Sequence, residues 1–177
     1  MFRASFQYLI AAAFVVLIPT ASWAQDSGAF RRSAYHDYRV VTVADGLVNP
    51  WSMAFLQNGD MLITERPGRL RIVRDGVLLP TPVSGVPEVL ARGQGGLMDV
   101  VPHPNFSSNR LLYISYSKPY ADEDGATTAI IRARFEGDAL HDVEELFVAN
   151  SRGRGHYGSK IAFDADGYVF FSVGDRQ

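Results

Sequence analysis

No cysteine occurs among the 177 residues. Disulfides are therefore excluded, and the fold has to rest on apolar burial, for which 47% hydrophobic and 12% aromatic residues suffice. Charge of one sign is also lacking: 17 Lys and Arg stand against 19 Asp and Glu. With no basic patch either, there is no electrostatic reason to expect nucleic acid or anionic lipid as a partner. Membrane-length apolar runs are missing too. Residues 8–18 are apolar, but they are too short to span a bilayer comfortably, follow the early cation Arg3, and lead to Ser22-Trp23-Ala24. Small residues three and one places before Gln25 fit a cleavage site, so residues 1–24 read as a signal peptide cut after Ala24. The mature chain is expected to be periplasmic or secreted, with no stable membrane insertion after cleavage. Export without cysteine suits a bacterial periplasm. Residues 25–37 have few large aliphatic side chains and read as a flexible lead-in to a domain at 38–177.

Helical periodicity is the last thing lacking. From Tyr38 onward, short β-rich runs alternate with turn residues, which predicts an all-β fold. The expected strands are 38–43, 52–55, 61–65, 70–73, 77–79, 97–101, 111–117, 129–135, 145–148, 161–163 and 168–173. Asn58-Gly59, Pro67-Gly68, Asp75-Gly76, Glu136-Gly137 and Asp166-Gly167 supply turn signals between them. The runs repeat: AFLQNGDMLIT from Ala54 matches AFDADGYVFFS from Ala162, and RLLYIS from Arg110 takes the place of the second strand in a copy between them. A period of about 50 residues with four strands per unit is the signature of a β-propeller blade. A sandwich with coincidental hairpins is the plainer alternative. The chain then holds about two and a half blades, a partial propeller, and 38–43 reads as a strand belonging to the blade that closes the ring.

In each unit a loop leads into the innermost strand, and equivalent loops lie around one end of the central channel. They carry Asn49-Pro50-Trp51, Gly93-Gln94-Gly95-Gly96 and Gly155-His156-Tyr157-Gly158. Gln94 and His156 should therefore share one funnel. Glycines around a single polar side chain let a ligand approach closely and leave that side chain unobstructed, although plain turn formation explains either loop taken alone. His36 and His141 read as solvated, and His103, between two prolines, as a rigid loop residue. Arg66, Arg69 and Arg71 read as a charged hairpin turn.

Three segments in this order, GLVNPWSMAFLQNGDMLITERPGRL, GQGGLMDVVPHPNF and GHYGSKIAFDADGYVFFSVGD, resemble the N-terminal part of the soluble quinoprotein glucose and aldose sugar dehydrogenases. The resemblance implies a six-bladed propeller using pyrroloquinoline quinone (PQQ) and calcium, an aldose substrate and a separate electron acceptor. It implies that His156 is the catalytic base and that Gln94 lines the substrate side of the quinone pocket. The chemistry suits this: oxidising an anomeric carbon removes a hydroxyl proton as hydride departs, and a neutral imidazole is a base suited to neutral pH. Two positions depart from the pattern. Gly155 stands where the glucose dehydrogenase branch has aspartate, which leans toward the broader aldose branch, and Lys160 stands where arginine is more typical. The family's calcium ligands and its cofactor-holding cations correspond to positions after Gln177, so no metal ligand is expected within this chain, and the chain alone is expected to be inactive. A calcium-dependent lactonase-type hydrolase and a non-catalytic propeller module stay open as other uses of the same architecture.

Overall fold

The computed structural model describes residues 30–121, 125–153 and 155–176. Residues 1–24, read above as a signal peptide, and residues 25–29 of the expected lead-in lie outside them. Two compact units divide at Thr42 and Val43. In the first, β1 (Arg31–Arg32) pairs antiparallel with β2 (Asp37–Tyr38), and the Ser33 hydroxyl closes the turn by donating to the His36 carbonyl at 2.6 Å. The strand expected over 38–43 is not formed beyond Tyr38. Val40 and Val41 are exposed, and β-branched propensity alone does not make a strand where no ladder partner meets it.

Among the described residues the second unit holds three antiparallel sheets. The first has the order β3 (Pro50–Phe55), β4 (Met61–Glu65), β5 (Arg69–Arg74) and β6 (Val77–Leu78). The second has β7 (Leu97–Pro102), β8 (Leu111–Pro119), β9 (Ala126–Glu136) and β10 (Ala139–Val148). A hairpin of β11 (Ile161–Phe163) and β12 (Val169–Phe171) makes the third. These are two blades and the inner half of another, with the strand grouping that the repeat predicts. Each glycine of the five predicted turn dipeptides has positive φ; at Asp75-Gly76 both residues do, as a tight hairpin turn with the twist of its strands requires. One helical turn was not anticipated: α1 (Phe106–Asn109) lies in the long loop between β7 and β8. Its buried Phe106 explains why this loop folds back onto the core.

Alternation along the strands places the core in layers between blades. Leu112, Ile114 and Tyr116 of β8 and Ala129, Ile131 and Ala133 of β9 face the first blade, where Leu62, Leu70 and Ile72 meet them. Tyr113 and Ile130, one residue out of phase, face the third hairpin and pack with Ile161, Phe163 and Phe171. Covered on both faces, the second blade reads as nearly continuous apolar runs such as LLYISY. Each fully buried Leu or Ile contributes roughly 1.5–3 kcal/mol. The outer strand β10 carries two register breaks and the charged side chains Asp142, Glu144 and Glu145, which blunt an otherwise open edge.

Two carboxylates in the first blade couple this packing to pH. Asp60 accepts from the Arg74 guanidinium, which outweighs burial and, with Asn58, holds its pKa below the usual value. For Glu65 burial pushes the pKa up, but hydrogen bonds from Arg69, the Val48 N–H and Arg71 together bring it below normal. Both groups release protons more readily when folded, so their stabilisation is complete above the ordinary carboxylate range and is lost as pH falls through the folded values, each of which lies below the group's ordinary value. Urea midpoints taken from pH 6 downward are expected to fall in that window, and to fall less steeply in Asp60→Asn. A flat profile in the unsubstituted protein would refute the assignment.

Candidate active site

Antiparallel order puts the loops before β3, β7 and β11 at one end of the sheets, together with the turn after β4 and the segment after β12. Buried hydroxyls tie these loops to the neighbouring sheet. Thr64 donates to the Met98 carbonyl at 2.6 Å, Ser115 to that of Ser159 at 2.7 Å and Thr128 to that of Tyr157 at 2.8 Å. The loop before β7 is stitched by Ser117, whose hydroxyl accepts from Gly96 N–H and donates to the Leu90 carbonyl. It is also gripped by Arg66, which donates to the Gly93 carbonyl at 2.5 Å. A side chain at Gly96 would run into the Arg66 backbone, so the close approach requires glycine.

His156 and Gln94 meet on this rim. The His156 backbone N–H donates to Gln94 Oε1 at 2.7 Å, although 62 residues separate them in the chain. His156 adopts φ +49°, a left-handed conformation uncommon for a residue with a Cβ, and the Gln94 contact helps hold it there. Its Nδ1 lies 2.6 Å from Asp175 Oδ1. An ionised carboxylate only accepts, so Nδ1 carries the proton and Nε2 presents the lone pair. The imidazole is 42% exposed, which leaves that lone pair open to a substrate. With Oε1 engaged, Gln94 has its amide NH2 to donate outward. One proton acceptor and one donor thus share a single rim.

A sequence model of the Glucose / Sorbosone dehydrogenase family matches residues 47–177. The chain belongs to that family. It is 40% identical over 142 residues to the aldose sugar dehydrogenase YliI of Escherichia coli K12, covering 77% of this chain and 38% of the relative. Among solved structures, a glucose dehydrogenase superposes with TM-score 0.70 at 42% identity, covering 75% of this chain and 40% of the other. The PQQ-bound form of aldose sugar dehydrogenase from Streptomyces coelicolor superposes with TM-score 0.67 at 27% identity, covering 76% and 40%. The chain thus spans about two fifths of the length of these relatives. Its fold is a partial β-propeller of the kind these dehydrogenases have.

Asp175 is the residue of this candidate site that sequence reading missed. The signal was available: β12 runs back antiparallel to β11, so whatever follows it returns to the loop in which β11 began. Gly174 makes the return possible, because a Cβ there would collide with the His156 carbonyl. The first of the three leading loops, before β3, contributes differently from the other two. Asn49 accepts the Arg66 N–H at its carbonyl, and the Val48 N–H is anchored on buried Glu65, which makes this loop a brace. Arg69 and Arg71 serve the same carboxylate from the hairpin. His103 accepts the Asn105 N–H at Nδ1 and packs near Tyr113 and Phe163, which fits the rigid-loop reading. His36 and His141 are exposed. No three His, Asp or Glu side chains converge as a metal site among the described residues.

Proposed function

We propose that this chain forms the first two and a half blades of a longer, exported PQQ-dependent aldose dehydrogenase, in which His156 is the general base and Gln94 lines the sugar side of the pocket. The observation that carries this reading is the His156 imidazole, fixed through Nδ1 on Asp175 and through its backbone on Gln94, with Nε2 open. When bound, PQQ supplies the two-electron acceptor for the hydride that leaves the anomeric carbon. The chain's share of the work is the proton. His156 Nε2 takes it from the anomeric hydroxyl, and Asp175, already in contact with Nδ1, stabilises the imidazolium that results. The sugar is left as its lactone. Gln94 positions the substrate, so Gln94→Ala should raise KM more than it lowers kcat.

Calcium and the cations that would hold the cofactor's carboxylates are assigned to blades after Gln177. The chain by itself is accordingly inactive, and residues 1–24 direct the protein to the periplasm or outside the cell. A separate electron acceptor is the further partner this reading requires. Family membership favours this reading over a lactonase or a binding module. The test is the full-length protein loaded with PQQ and calcium and mixed with D-glucose and other aldoses. Sugar-dependent bleaching of the quinone with lactone release is expected. Bound PQQ that no aldose reduces would overturn the proposal.

A further inference from the structure

The segment that carries Asp175 also carries Arg176, a cation that the mechanism above does not use. Its side chain turns inward: the residue is only 8% exposed and lies flat under the loop that holds His156. Nη1 donates to the Gly155 carbonyl at 2.7 Å and Nη2 to the Ala126 carbonyl at 2.9 Å. The guanidinium carbon sits 4.0 Å from the centroid of Tyr157, a residue itself 3% exposed. Nε finds no hydrogen-bond partner among the described residues, so the side chain is committed to these two carbonyls and one ring face. Gly155 and Tyr157 are the residues on either side of His156. The fixed fork of an arginine can hold two diverging carbonyls at once, while a lysine is a single point donor.

We propose that Arg176 is the positioning residue for His156: it clamps the loop on both sides of the histidine, holding its left-handed backbone and keeping Nδ1 on Asp175. This deepens the general-base reading and rests on it for the effect on rate. Segment 174–176 then supplies one group for the imidazole and another for the backbone beneath it. Tightening is local. Ala126 O also accepts the Gly153 N–H, so the loop is tied to the first residue of β9 at two points.

The experiment uses the full-length protein with Arg176→Ala and Arg176→Lys. The two imidazole nitrogens of His156 are read by ¹⁵N NMR, and kcat and KM are measured with PQQ bound. Both variants are expected to shift His156 from a single Nδ1–H form to a tautomer mixture. Both should lower kcat about 10- to 100-fold, the scale on which a small misplacement of a reacting group acts, with a smaller change in KM. If Arg176→Ala does not fold, Arg176→Lys, which keeps the charge and the ring contact, decides. Unshifted nitrogen signals together with kcat within about twofold of the parent in a folded variant overturn the clamp. The NMR result stands whether or not the parent oxidises an aldose, so a failure of the proposed reaction is distinguishable from a failure of this inference.

Discussion

If the proposed function holds, His156→Ala in the full-length protein loaded with PQQ is expected to lose about 10²- to 10⁴-fold of the rate at which sugar reduces the cofactor, the range that a positioned general base contributes. The geometry fixes why the loss should fall on chemistry. Nδ1 is occupied by Asp175 and the backbone N–H by Gln94, so Nε2 is the part of the residue left for substrate. Removing the ring removes the proton acceptor and leaves the two neighbouring loops braced by Ser115, Thr128 and Ser117. The spectrum of bound PQQ should therefore stay as in the parent while single-turnover bleaching slows. Asp175→Asn should fall between the parent and the alanine variant, because an amide holds the ring with less bias toward the tautomer that frees Nε2. Parent-like bleaching in His156→Ala would remove the histidine from the reaction and leave the fold and the family untouched.

Much of this arrangement was legible before any coordinates. The blades were, because each strand is short and bounded by turn residues whose positive φ leaves little choice of register, and because AFLQNGDMLIT and AFDADGYVFFS repeat one hairpin. The meeting of Gln94 and His156 followed from the same repeat: equivalent loops must gather at one end. Asp175 and Arg176 escaped because they sit outside the glycine-rich loops that attract the eye, and their role depends on where a returning strand delivers them. The roles of Arg66 and Glu65 were similarly hidden. A guanidinium in a hairpin turn and a carboxylate at a strand end look solvated in sequence, and only packing shows that Arg66 grips the Gly93 carbonyl and that Glu65 is buried. Residues 39–43 failed in the opposite direction, since RVVTV has the composition of a strand and nothing in composition reports the absence of a partner.

Asp99→Ala is expected to destabilise the chain by about 3 kcal/mol, the cost of leaving the buried Ile161 N–H and the half-buried Ser52 hydroxyl without their acceptor. Asp99 is wholly buried in the innermost strand of the second blade and accepts from three directions. The Ser52 hydroxyl reaches it from the first blade at 2.6 Å, and the Ile161 N–H from the third hairpin at 2.9 Å. Lys160 adds an ammonium at 3.1 Å. That ammonium belongs to a side chain 70% exposed, so solvent screens the pair and Lys160→Met should cost less than about 1 kcal/mol. The hydrogen bonds from Ser52 and Ile161 carry the larger share, because the Ile161 N–H is buried and the Ser52 hydroxyl half-buried. Asp99→Asn is predicted to cost less than alanine, since its amide oxygen can accept the Ile161 N–H while the Ser52 hydroxyl rotates to accept from its NH2 group. Against a typical domain stability of about 5–15 kcal/mol this is a large fraction, and it should appear in urea unfolding as a lower midpoint with an unchanged slope. The position is also where the rim is built, because the Asp99 N–H rests on Ser115, whose hydroxyl holds the Ser159 carbonyl just after the His156 loop. Loss of stability in Asp99→Ala should therefore be accompanied by faster hydrogen exchange in residues 155–161. A midpoint within about 1 kcal/mol of the parent would mean that the three inner strands are held by apolar packing alone.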